Sequence, residues 1–179
     1  MRQGIAALLE RHLWPDGDRR DLWAVLDGAR DRRVFRFLIN SYLDYTCLYA
    51  GTLHPDLEIA APYLVRLEQG DKYTNGLLEQ AWGNSWGVLL RCPTTIESLR
   101  RHLRTFLVVR GPGGERLVFR YYDPRVLRVY LPTCFPDELR TVYGPIRTFW
   151  TEANGGNALH EFTWEQSALQ VREIALEQT

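Results

Sequence analysis

Cysteine is scarce in this chain: Cys47, Cys92 and Cys134 are odd in number and far apart in the sequence. That spacing argues against a disulfide framework or a zinc site, and leaves three small hydrophobic side chains suited to a reducing compartment. An excess of charge of either sign is also missing. The 22 acidic and 22 basic residues cancel, so no overall field draws the chain to nucleic acid or to an anionic membrane. The arginines of "RRHLR", residues 100–104, and Arg30, Arg32 and Arg33 read instead as solvated helix faces. Long apolar runs are absent. Val88-Leu89-Leu90 and Phe106 to Val109 fall far below the roughly 20 residues that cross a bilayer, so no membrane insertion is expected. The N-terminal "MRQGIAALLERHLW" has neither the apolar segment nor the small-residue cleavage site of a secretory leader. The expectation is a cytoplasmic protein.

Catalytic signatures are equally sparse. There is no GxSxG elbow, HExxH helix, Walker loop or GxGxxG turn, and the glycines of "RGPGGER" have no Lys-Ser/Thr behind them. His12, His54, His102 and His160 occur singly. Pairs such as Cys47 with His54, or Cys134 with His160, would need the fold to bring them together. No catalytic, metal-binding or cofactor-binding residue is assigned, and no cofactor is expected. The alternative kept open is a small hydrolase or transferase using a Cys/His or Asp/Arg site.

What the sequence does hold is an ordinary globular balance over 179 residues, with 45 % hydrophobic and 25 % charged. Residues 3–14 place Ile5, Leu8, Leu9 and His12 or Leu13 on one side of an amphipathic helix, ended by "WPDGD" at 14–18. Leu22 to Leu26 reads as a strand covered on both faces, stopped by Asp27-Gly28. A helix is predicted from about Ala29 to Leu38, and "TLHPDLEIA" at 52–60 is loop-like, with Pro55 breaking any helix. "APYLVRL" is another extended candidate.

Lys72 to Trp82 then predicts a helix, Trp86 to Cys92 a buried strand, and Thr95 to Leu103 a helix capped by Thr94 or Thr95. Thr105 to Arg110 and Arg116 to Tyr122 form a hairpin around "GPGGE". A helix follows from Pro124 and a second from Pro136, and the tail reads as strands around Asn154-Gly155-Gly156-Asn157, although the last segment, "LQVREIAL", also suits a helix. The fold class is mixed α/β (α+β). A single domain, 1–179, holds a central mixed sheet flanked by helices, with an antiparallel hairpin in its second half and a β-rich tail at 151–179.

The densest motif is "LVFRYYDPRVLRVYLPT", residues 117–133. Strand alternation puts Arg120 on the face of Val118 and Tyr122, and Asp123-Pro124 reads as a strand-to-helix junction, with Asp123 as cap and Pro124 at the first helical position. Val126, Leu127, Tyr130 and Leu131 make a core-facing stripe. Arg125 is the exception, because a cation in the first helical turn costs up to about 1 kcal/mol unless an acid compensates. Asp27 and Asp44 are the candidate acids, with Arg120 joining the same cluster. The cluster is either an internal ion-pair network or a recognition site for a partner's acidic or carbonyl groups. Six tryptophans and nine tyrosines supply amphipathic contact area of the kind interfaces use. Trp82, Trp86, Trp150 and Trp164 are the candidates for exposure, whereas Trp23 belongs to the buried strand.

At these residues the sequence resembles the type VI secretion effector adaptors, the Tap or TEC chaperones. The likeness rests on "FRYYDPRVLRVYLPT" together with "LWAVLDGAR", "CLYAG", "AAPYLVRLE", "WGNSWGVLLRC", "TIESLRRHLR" and "YGPIRTFW", in that family's order over residues 22–150. The resemblance implies a cytoplasmic, non-enzymatic adaptor. Its partners would be a secreted toxin effector and the VgrG spike protein, the effector often carrying a PAAR tip domain. Arg120, Asp123, Arg125, Asp27, Trp86 and Trp150 are the candidate partner-binding or structural residues. Many members carry a longer helical C-terminal part linked to cargo choice, so here cargo recognition would fall to the residues after Trp150 or to an unusual partner.

Overall fold

The apolar segment Leu22–Asp27, strand β1, is buried at every position, because it is paired on both edges and covered on both faces. The computed structural model describes residues 4–15 and 21–176. Within them β1 is the middle of one half of a seven-stranded sheet. The other strands are β2 (Tyr45–Cys47), β3 (Pro62–Leu67), β4 (Gly87–Arg91), β7 (Thr148–Ala153), β8 (Ala158–Glu165) and β9 (Ala168–Ala175), in the order β2-β3-β1-β4-β7-β8-β9. A separate ribbon pairs β5 (Val108–Arg110) with β6 (Arg116–Val118).

Two cores form because β1 side chains alternate. Trp23 and Val25 point into a cluster with Leu99 and Leu103 of helix α5 (Ile96–Arg104), Leu127 of α6 (Pro124–Tyr130) and Leu139 and Val142 of α7 (Pro136–Tyr143). Leu22, Ala24 and Leu26 point the other way, onto Leu9 and Leu13 of α1 (Ile5–Leu13), Val34 and Leu38 of α2 (Arg32–Ile39) and Leu77 and Leu78 of α4 (Lys72–Ala81). Helices therefore lie on both faces of the sheet.

The fold is mixed α and β, as expected, but every pairing in the sheet is antiparallel where a mixed sheet was expected. The strand–helix alternation is nevertheless real. β3, α4 and β4 make a crossover between two strands of like direction, and β1 lies between them, antiparallel to both. Sequence alternation reports the crossover and not the strand that fills its gap.

Local departures have local causes. "TLHPDLEIA" is not all loop: Pro55–Ile59 is a short helix, α3, with Pro55 at its first turn, where its missing N–H costs nothing, and His54 Nδ1 accepting from the Asp56 amide at 3.3 Å. Helix α2 starts at Arg32 and not Ala29, because Asp31 caps it through the Arg33 amide at 2.8 Å. Thr95, not Thr94, caps α5. The strand expected over Arg116 to Tyr122 ends at Val118, since Tyr121 and Tyr122 are both buried, which alternating strand positions in an open ribbon cannot achieve. Asp123-Pro124 is thus a loop-to-helix junction. The last segment, β9, is a strand and not a helix. Helix α1 ends at Leu13, with Trp14 as its cap, while residues 16–18 of the expected stop and the predicted first residue, Gln3, lie outside the described residues.

Candidate partner-docking site

One end of the sheet collects segments far apart in the chain. β1 ends on Asp27, whose amide donates to Trp86 O at 2.7 Å, while Gly28 N donates to Ala61 O at 3.1 Å. Glycine is required at both ends of this junction. A Cβ on Gly28 would lie 2.5 Å from Ile59 O and 2.6 Å from Ala61 O, and one on Gly87 would collide with the backbone of Val25. The "DGAR" and "WGNSWG" motifs are therefore two sides of one close backbone approach.

Onto this end comes the "RYYDPR" segment. Asp27, 1 % exposed, accepts from the Ala29 amide at 3.0 Å and from Arg120 Nη2 in an ion pair. The Arg120 side chain stays 43 % exposed, and its guanidinium is held more firmly protonated than usual, chiefly by the hydrogen bond to Asp27. Asp123, buried, caps α6 by accepting from the Arg125 amide at 2.9 Å. The same carboxylate takes Arg125 Nε at 3.0 Å and Nη2 at 2.6 Å, a two-pronged fork. Burial alone would raise the Asp123 pKa, yet the side-chain and backbone hydrogen bonds from Arg125, with the charges of Arg125 and Arg120, hold it below the ordinary aspartate value.

The acid that compensates Arg125 is consequently its own helix cap. Asp27 pairs with Arg120 and only adds to the field at Arg125. Asp44 lies elsewhere, lining a cavity with Arg100, Arg101 and Arg104 of α5. The cluster expected of Arg125 and Arg120 with Asp27 or Asp44 is instead two pairs, Asp27 with Arg120 and Asp123 with Arg125, and Asp44 belongs to neither.

Glu152 is a residue that the sequence reading passed over. It is buried on β7, and its carboxylate accepts from Gly83 N at 2.7 Å, Ser85 N at 3.1 Å and Ser85 Oγ at 3.1 Å, pinning the turn between the two tryptophans of "WGNSW". Arg128 of α6 donates to the Glu152 carbonyl and Arg30 Nε to Asn84 O at 3.2 Å, closing the arginine rim. A lone acid inside the apolar run "TFWTEA" was the available signal.

Trp86 and Trp150 do not face solvent. Both are buried in the core on the α1, α2 and α4 side. Trp86 Nε1 donates to Asp31 Oδ2 at 3.2 Å under the Arg33 guanidinium, and Trp150 Nε1 donates to Glu161 Oε2 at 2.9 Å beside that of Arg91. Their indole N–H groups could be buried only with acceptors supplied from elsewhere in the fold. Trp82 and Trp164 are half-buried, and Trp23 is buried as expected. The large apolar side chain that faces solvent beside Arg125 is Val129, 70 % exposed and one turn further along α6; Phe135, at the start of α7, is also exposed.

The cysteine–histidine pairs are not assembled. His54 sits beside Asp56, His160 contacts Glu173 at 2.6 Å, and Cys134 Sγ contacts Tyr130 O. Burial raises the pKa of all three thiols, that of Cys92 to about 12, opposite to what a thiolate nucleophile needs. No helix among the described residues is long and apolar enough to cross a membrane.

Residues 22–141 match the family described as "Domain of unknown function (DUF4123)". The chain belongs to that family. Comparison with curated proteins and with solved structures gave no match. The DUF4123 match contains Asp27, Trp86, Arg120, Asp123 and Arg125, and leaves Glu152 and the strands β7 to β9 outside it.

Proposed function

We propose that this DUF4123 protein is a cytoplasmic adaptor that holds a type VI secretion effector before export and helps load it onto the VgrG spike, with a PAAR domain of the effector as a further contact. The observation that carries the reading is the pair of braced arginines. Asp27 and Asp123 fix Arg120 and Arg125 from the protein side, while 43 % and 50 % of the two side chains remain open to solvent. A guanidinium has five N–H donors, and Arg125 commits Nε and Nη2 to Asp123. The remaining donors point to a partner's carbonyl or carboxylate oxygens.

Holding these forks before the partner arrives lowers the ordering entropy that binding must overcome. Exposed Val129, on the Arg125 side of α6, adds apolar contact. The two negative charges neutralise the arginines in place, so the surface suits backbone carbonyls as well as acids and does not depend on a bulk basic field. Membership of the family and the ordered motifs over residues 22–150 support the same reading.

The test is coexpression of the tagged chain with the products of its neighbouring genes. Copurification of a spike protein or a toxin is the expected result, with capture reduced at least ~10-fold, about 1.4 kcal/mol, by Arg125→Ala combined with Val129→Ser. A chain that purifies alone and turns over a small molecule, with loss on changing one Cys or His, would replace the adaptor by an enzyme.

A further inference from the structure

The two edges of the seven-stranded sheet are not equivalent. Edge β2 is three residues long, and Arg100 of α5 covers it by donating Nε to Cys47 O at 2.6 Å and Nη2 to Tyr49 O at 2.9 Å. Edge β9 is eight residues long and pairs residue for residue with β8, from Ala158 opposite Ala175 to Glu165 opposite Ala168, without a bulge. It contains no proline, glycine or lysine, the devices that ordinarily keep an edge from pairing. Its two charges are not guards either, because Arg172 pairs with Glu161 at 3.0 Å and Glu173 with His160 at 2.6 Å, both on β8.

The hydrogen-bonding phase follows from one bond. Leu176 N donates to Asn157 O at 2.9 Å, and antiparallel ladders alternate, so Leu169, Val171, Glu173 and Ala175 turn their N–H and C=O groups away from β8. Among the described residues no strand pairs with these groups, and Val171 beside them is 51 % exposed.

We propose that β9 pairs antiparallel with β9 of a second copy of this chain about a two-fold axis through Val171, joining two sheets into one. The axis stands perpendicular to the sheet, so residues facing each other must share parity. Centred on Val171, the register sets Val171 against Val171 of the second copy, Leu169 against Glu173, Gln170 against Arg172 and Ala168 against Ile174. No like charges meet. Moving the centre one residue later opposes Arg172 to its own copy, and two residues later opposes Glu173 to its own copy, both unfavourable. Moving it one residue earlier shortens the ladder. The formal net charge of zero adds no long-range repulsion between copies. The inference is independent of the adaptor reading, because it concerns strands outside the arginine rim and needs no third protein.

Sedimentation of the purified full chain across the micromolar range is the primary measurement, and a concentration-dependent species of twice the chain mass is expected. Val171→Pro removes only an outward N–H, so it should leave the folded monomer's circular dichroism intact and weaken dimerisation at least ~10-fold. Under mild oxidation, Val171→Cys should give a disulfide-linked dimer that the wild-type chain does not. Glu173→Cys should not, since the two copies of residue 173 would lie roughly 14 Å apart along the strands, beyond disulfide reach. A wild-type chain that stays monomeric throughout the range overturns the proposal. So does a dimer that Val171→Pro leaves unchanged, or one that cross-links through position 173 and not 171.

Discussion

Strands β1 and β9 belong to one sheet and have opposite chemistry. All six residues of β1 are buried, while six of the eight in β9 are exposed. β1 has a strand on each edge and a core on each face, so any polar group there must find a partner inside the protein. Its one acid, Asp27, meets that demand with Arg120 and the Ala29 amide. On β9 the pairs Arg172–Glu161 and Glu173–His160 sit at the surface, where water competes and an ion pair typically contributes ~0–1 kcal/mol. The same kind of contact is thus a requirement in one strand and a minor adjustment in the other.

Substitutions can be ordered by how hard they strain that contrast. Gly87→Ala should be the most damaging, because the new Cβ meets the Val25 backbone and the β1–β4 pair must separate. We expect about 3 kcal/mol or more, a melting temperature lower by roughly 6–12 °C in calorimetry. Next comes Arg120→Ala, which leaves the buried Asp27 carboxylate without its cation and should cost about 3 kcal/mol in urea unfolding. Asp27→Ala should cost less, about 2 kcal/mol, since the half-exposed Arg120 can turn to water. Equal losses for these two variants would contradict the asymmetry of burial.

Acid should act on the β1 side of the molecule too. Asp31, just beyond β1, is held down to about 2 from an ordinary 3.8, mainly by the Arg33 hydrogen bond against the opposing effect of burial. Asp123 is likewise held below its ordinary value. Both carboxylates therefore contribute stability that is complete above the ordinary aspartate range and lost as pH falls through their folded values. Asp31→Asn should flatten the fall of the urea midpoint between pH 3.8 and about 2. The smallest effect is expected on β9, where Arg172→Ala should change stability by no more than ~0.5 kcal/mol, since its Glu161 contact is two-thirds exposed on the arginine side.

The same contrast explains which parts of the fold could be read from residue order. Leu22 to Leu26 announced a doubly covered strand because only apolar side chains satisfy two cores. "LQVREIAL" did not, since an edge strand in water accepts a pattern that a helix also accepts. Asp123 and Pro124 were legible as a helix start because capping is local. Residue order points to Asp27 or Asp44 as the partner of Arg125, whereas the acid two residues before it closes the fork. Residue order leaves Trp86 and Trp150 as candidates for exposure. Asp31 and Glu161 accept their indole N–H groups and allow both to be buried.

Sequence alone determined the buried strand β1, the capped starts of α5 and α6, the mixed fold class and the ordered motifs of the family, because each depends on neighbours a few positions away or on composition. Only the tertiary structure decided that β1 fills the gap between β3 and β4, that Arg120 reaches Asp27 across 93 positions of chain, and that Glu152 holds the "WGNSW" turn. Those outcomes depend on which strands lie side by side, and long-range pairing leaves no local periodicity to read.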